Sequence, residues 1–153
     1  MAIIDWTGLA GAVSAEELIG GQAMAARLAC QQMTAPALEL LLDSLERAAS
    51  LPARPGWELK AAAHAESLRL LTAVAGRRAA GGLASQTRLI SDLICAVGPV
   101  ADGMITSSRQ RLLACLRAGD ADGAEREVEQ HLRVLHYMSR LAPRRPHDTA
   151  VTR

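Results

Sequence analysis

Apolar positions recur along this chain with the three-and-four spacing of helices almost from end to end. Ser14, with Glu17 three residues later, matches a capping box, and the helix it opens runs to about Gln32. Gly20-Gly21 weakens that helix by ~1 kcal/mol per glycine relative to alanine. Thr34 stands before a second helix that accommodates Pro36 in its first turn; Leu38, Leu41, Leu42, Leu45 and Ala49 form its apolar stripe. The break "SLPARPG" follows. A third helix is predicted from about Trp57 to Ala75, with Gly76 where a left-handed C-cap belongs.

A fourth helix is predicted from about Ala79 to Val97, facing inward through Leu83, Ile90, Leu93, Ile94 and Val97 and ended by Gly98-Pro99. After a loop, Ser107 or Ser108 is the expected cap of a fifth helix reaching Ala118. Gly119 ends it, and Asp120 caps a last helix to about Leu141. The expectation is an all-α fold, an antiparallel bundle of six to seven helices. A strap or linker (1–13) precedes one helical domain (14–141), and a flexible polar tail follows (142–153).

Composition sharpens this picture. At 153 residues the chain is one domain, able to bury roughly two-thirds of its unfolded surface. Half the residues are hydrophobic, yet Phe is absent, so the core must be aliphatic. A net charge of +1 offers no electrostatic case for nucleic acid or a membrane surface. Cys30, Cys95 and Cys115 lack CxxC spacing and read as reduced thiols. No signal peptide opens the chain and no apolar run reaches the ~18 residues that span a bilayer, so the expected location is the cytoplasm, with no membrane partner.

Three polar residues interrupt this pattern by falling on apolar faces. His131 lies on the stripe Ala124, Val128, Leu132, Leu135, Met138. Arg109 precedes Leu112 and Leu113 by three and four, and Leu116 by seven. His64 lies seven after Trp57 and four before Leu68. Each alone could be a core residue bonded to backbone, or a long side chain reaching water. Three together, on three helices, call for partners, which a bound anion or metal would supply. Glu125, Glu127 and Glu129, spaced by two, spread around the last helix and read as solvated. No acid joins His64 and His131 to complete a metal set, and no Ser-His-Asp, HExxH or Gly-rich phosphate loop is present, so neither an enzyme nor a cofactor is expected.

Three segments in order, "AARLACQQMTAPALELLLDSLERAA" (25–49), "HAESLRLLTAVAGR" (64–77) and "LLACLRAGDADGAEREVEQHL" (112–132), resemble the FCD domain, the effector-binding domain of GntR-family bacterial transcription regulators. The resemblance covers about Ser14 to Met138. It implies a homodimer and a central cavity for a small effector, often a carboxylate. Many such domains hold a divalent metal through one Asp and three His. Here the Asp position falls on His64, the first His position on Leu68, the second on Arg109, and the third is kept as His131. A register that keeps His64 as the first His puts Lys60 at the Asp position but requires an insertion before Gly76. Either way two of the four ligands are replaced, so no metal is expected. The family's first-helix Arg is also replaced, by Leu18 or Gln22.

The ligand site is therefore expected at His64, Arg109, His131 and Leu68, binding a small organic or acyl-type anion, more strongly towards acidic pH as the histidines protonate. The 13 residues before the first helix are too few for a winged helix-turn-helix, so DNA is expected only through such a domain, absent from this chain. The alternative reading is a degenerate FCD-like dimerisation or interaction module without an effector.

Overall fold

The computed structural model describes residues 14–76 and 83–141. Among them are six α-helices and no strand: α1 (Ala15–Gln31), α2 (Ala35–Ser50), α3 (Trp57–Ala75), α4 (Leu83–Val97), α5 (Asp102–Ala118) and α6 (Ala121–Leu141). The protein is an all-α bundle. The expected strap, tail, start of α4 near Ala79 and inward side chain of Leu83 lie outside what is described. No single helix among the described residues is long and apolar enough to cross a membrane.

The helix ends follow local chemistry. Ser14 Oγ accepts from the Glu17 amide at 3.1 Å, and Thr34 Oγ1 from that of Ala37 at 3.2 Å, each satisfying an amide that the helix leaves open. Asp120 Oδ1 accepts the Gly123 amide at 2.9 Å. Gly119 takes φ 70°, ψ 23°, the left-handed conformation expected of a glycine C-cap, and Gly76 also has positive φ, with extended ψ.

α5 departs from expectation. It starts at Asp102, directly after a 3₁₀ turn (Pro99–Ala101), with Ala101 rather than Ser107 or Ser108 in the N-cap position. Gly103, Ser107 and Ser108 are weak helix formers, so the segment resembled a loop. Burial of Ala101 and Ile105 overrides propensity, and the Asp102 carboxylate suits the positive end of the helix dipole. Ser107 is exposed within the helix, while Ser108 is buried and donates to Glu127 Oε2 at 2.8 Å.

α1 packs most extensively on α6 and also on α3; α3 in turn carries α2 and α4, and α5 rests on α6. Leu18, Ile19, Leu68, Leu89, Leu93, Ile94, Leu112, Leu132 and Leu135 are fully enclosed, giving the aliphatic core that composition required. On α2 the buried positions are Leu41, Ser44 and Ala48. Ala49, expected inward, is exposed, because the buried stripe is rotated by one position.

Candidate functional site

α3, α5 and α6 each present one of the three polar residues to the interior: His64 is 3%, Arg109 3% and His131 2% exposed. Arg109 lies across α3. Its Nε donates to Ser67 Oγ at 2.7 Å and its Nη2 to the His64 carbonyl at 3.1 Å, while Nη1 has no partner. Neither contact is to a carboxylate. Burial pushes the guanidinium pKa down to about 10, opposed by the charge of Glu127. It stays cationic at neutral pH, a buried charge without a direct counter-ion.

His64 Nε2 lies 2.9 Å from Asp102 Oδ1, and Lys60 Nζ lies 3.7 Å from the same oxygen. Lys60 is itself buried and donates to the Ala49 and Leu51 carbonyls at 3.3 and 2.5 Å, closing the end of α2. Trp57 packs beside His64 with ring centroids 6.2 Å apart, its indole N–H donating to the Ile94 carbonyl. His64 Nδ1 has no partner, and neither ring nitrogen of His131 has one.

Burial chiefly depresses the His131 pKa well below the ordinary histidine value, and the charges of Arg109, His64 and Arg111 depress it further. The His64 pKa is lowered in the same sense: burial leads, Arg109 and Lys60 add to it, and Asp102 opposes. Both rings are therefore neutral at neutral pH, so acid-strengthened binding is displaced to lower pH than the sequence suggested.

His64 and Arg109 form the floor of a cleft of about 210 Å³ between α2 and α5. Its walls are apolar, from Leu42, Leu45, Ala48 and Leu113, and Glu46 and Gln110 also border it. Leu68, one turn beyond His64, is enclosed in the core and does not line the cleft; His131 does not line it either. The structure thus brings His64 and Arg109 together at the cleft, sets His131 within their electrostatic reach, and assigns Leu68 to packing.

Sequence reasoning missed Ser67, Asp102 and the buried role of Lys60. Lys60 and Ser67 carried a signal, four before and three after His64 on its helix face. Asp102 carried none once its segment was read as loop. The three glutamates are not simply solvated: Glu125 accepts from Arg27, Glu129 from Arg133, and Glu127 from Ser108 and Arg111. Glu127 holds α5 against α6.

A divalent ion does not suit this donor set. Among the described residues no group of three His, Cys, Asp or Glu side chains converges, and the Arg109 charge, which acts on both His64 and His131, would oppose a cation held by them. Leu18 is enclosed, and Gln22 bonds Gln86 Oε1 at 2.6 Å, so neither supplies the cation of the resembled family's first helix. The cysteines form no disulfide. No family model, curated protein or solved structure matches the chain.

Proposed function

We propose that this chain is an effector-sensing and dimerisation domain of the kind found in GntR-family regulators, binding a small organic anion between α2, α3 and α5. One observation carries this reading: Arg109 is a buried guanidinium with no carboxylate partner and an unbonded Nη1, lining a cleft whose walls are largely apolar. An uncompensated buried charge is costly, and a bound carboxylate would compensate it through charge-assisted bonds. The arrangement suits sensing as well as binding. α2 is held mainly by α3, so an occupant of the cleft would bridge α2 to α5 and favour one relative placement of the two helices. The role is regulatory rather than catalytic.

The test is a thermal-shift screen of organic acids on protein whose metal content is measured, repeated on variants of Arg109. Arg109→Ala should weaken binding by roughly 1.5–3 kcal/mol, the usual worth of a hydrogen bond to a charged group. Arg109→Lys should restore it only in part, since an ammonium cannot reproduce the guanidinium fork. Stoichiometric zinc or nickel, or a response unchanged in Arg109→Ala, would overturn the reading. Silence towards every acid would favour a dimerising module with no effector.

A further inference from the structure

The hydrogen-bonding polarity of the cleft floor restricts the ligand further. Asp102, two helical turns before Arg109 on α5, meets His64 at Nε2. A carboxylate oxygen accepts rather than donates in this contact, so Nε2 carries the hydrogen. In the neutral ring Nδ1 is then a lone-pair acceptor. It is buried and unbonded, as is the Nη1 donor group of Arg109. The two residues are tied together: Arg109 donates to the His64 carbonyl, and Ser67 Oγ bridges them by accepting from Arg109 and donating to that same carbonyl. One unbonded donor group and one unbonded acceptor thus belong to two linked residues that both line the cleft.

We propose that the ligand is an organic acid bearing an O–H or N–H donor beside its carboxylate, the carboxylate held by Arg109 and the donor received by His64 Nδ1. This rests on the anion-binding reading above and narrows it. A plain carboxylate satisfies Arg109 but leaves the His64 lone pair unmet, or facing an oxygen lone pair, which costs free energy in a desolvated site. Burial leads in favouring the neutral ring on which this depends, and with Arg109 and Lys60 it outweighs the opposing pull of Asp102. The apolar walls and the volume of about 210 Å³ suit a compact aliphatic or single-ring body. Asp102 is a positioning residue: it sets the tautomer of His64.

The experiment compares matched pairs, 2-hydroxyisocaproate with isocaproate and mandelate with phenylacetate, by calorimetric titration of the whole chain. Hydroxy acids should bind roughly three- to tenfold more tightly than their deoxy partners, the worth of one neutral hydrogen bond. Asp102→Asn should erase that preference, because the amide can donate to Nε2 and move the ring hydrogen to Nδ1. Two-bond ¹⁵N–¹H spectra of the unaltered protein, with the His64 signal identified by its loss in His64→Gln, should show the Nε2–H form; they decide the tautomer even where Asp102→Asn fails to fold. Equal binding within pairs that still depends on Arg109 would overturn this inference alone. A preference retained in a folded Asp102→Asn, or an Nδ1–H form, would also overturn it. No Arg109-dependent binding of either member would overturn the anion-binding reading itself.

Discussion

Replacing Arg109 by methionine separates a residue kept for stability from one kept for a ligand. Methionine matches the length of the aliphatic stem and removes the charge. Burial lowers the guanidinium pKa to about 10, a penalty on its charged form on the order of a few kcal/mol. Against that stand two bonds, to Ser67 Oγ and the His64 carbonyl. Their loss strands little, since Ser67 Oγ still donates to the His64 carbonyl at 2.9 Å. The net expectation is a protein at least as stable as the original and up to about 2 kcal/mol more so, as when buried charges give way to packed apolar groups. With about 2–4 °C per kcal/mol for a chain of this size, the melting temperature should rise by up to roughly 8 °C. The assay is urea and thermal denaturation of extensively dialysed protein, with and without an organic acid. The variant should lose the acid-induced shift while keeping its stability, the trade expected of a functional site. A loss of more than about 3 kcal/mol would refute the reasoning, since it would mean that Arg109 belongs to a satisfied structural pair.

Other outcomes follow from the same geometry. Both interior histidines have folded pKa values below their unfolded value near 6.5, so the unfolded chain takes up protons first as pH falls. Stability should be fully present above pH ~6.5 and decline below it, at up to about 1.4 kcal/mol per pH unit per histidine; His131→Leu should lessen the slope, and urea titrations at neutral pH and near pH 5 will show whether it does. Gly123→Ala should cost about 1–2 kcal/mol, because a Cβ there would collide with Asp120 Oδ2 and meet Cys115 Sγ at 2.9 Å and so disturb the α6 cap; unchanged thermal stability would contradict this. The proposed homodimer should sediment at about twice 16.2 kDa, with exposed Val134, Tyr137 and Leu141 on α6 available for burial; a mass of 16.2 kDa at micromolar concentration would count against it.

Helix periodicity and end chemistry are local, and they were legible. The stops at Gly76 and Gly119 and the caps Ser14, Thr34 and Asp120 depend on residues within one turn of each other. The same periodicity placed His64, Arg109 and His131 on interior faces, because a helix repeats its faces every three to four residues whatever it packs against. It failed at Ala49, where a one-position rotation of the stripe decides exposure, and at 102–107, where burial of Ala101 and Ile105 outweighs poor propensity.

By itself, then, the sequence determined the helices, most of their ends and the interior placement of three polar side chains. Only the tertiary structure decided what those side chains meet. Asp102 reaches His64 from another helix, Ser67 receives Arg109, and Glu127 binds Ser108 and Arg111 across the α5–α6 contact. The cleft exists because α2 and α5 both lean on neighbours rather than chiefly on each other. These relations depend on how faces from distant parts of the chain come together, and no spacing within a single helix encodes that meeting.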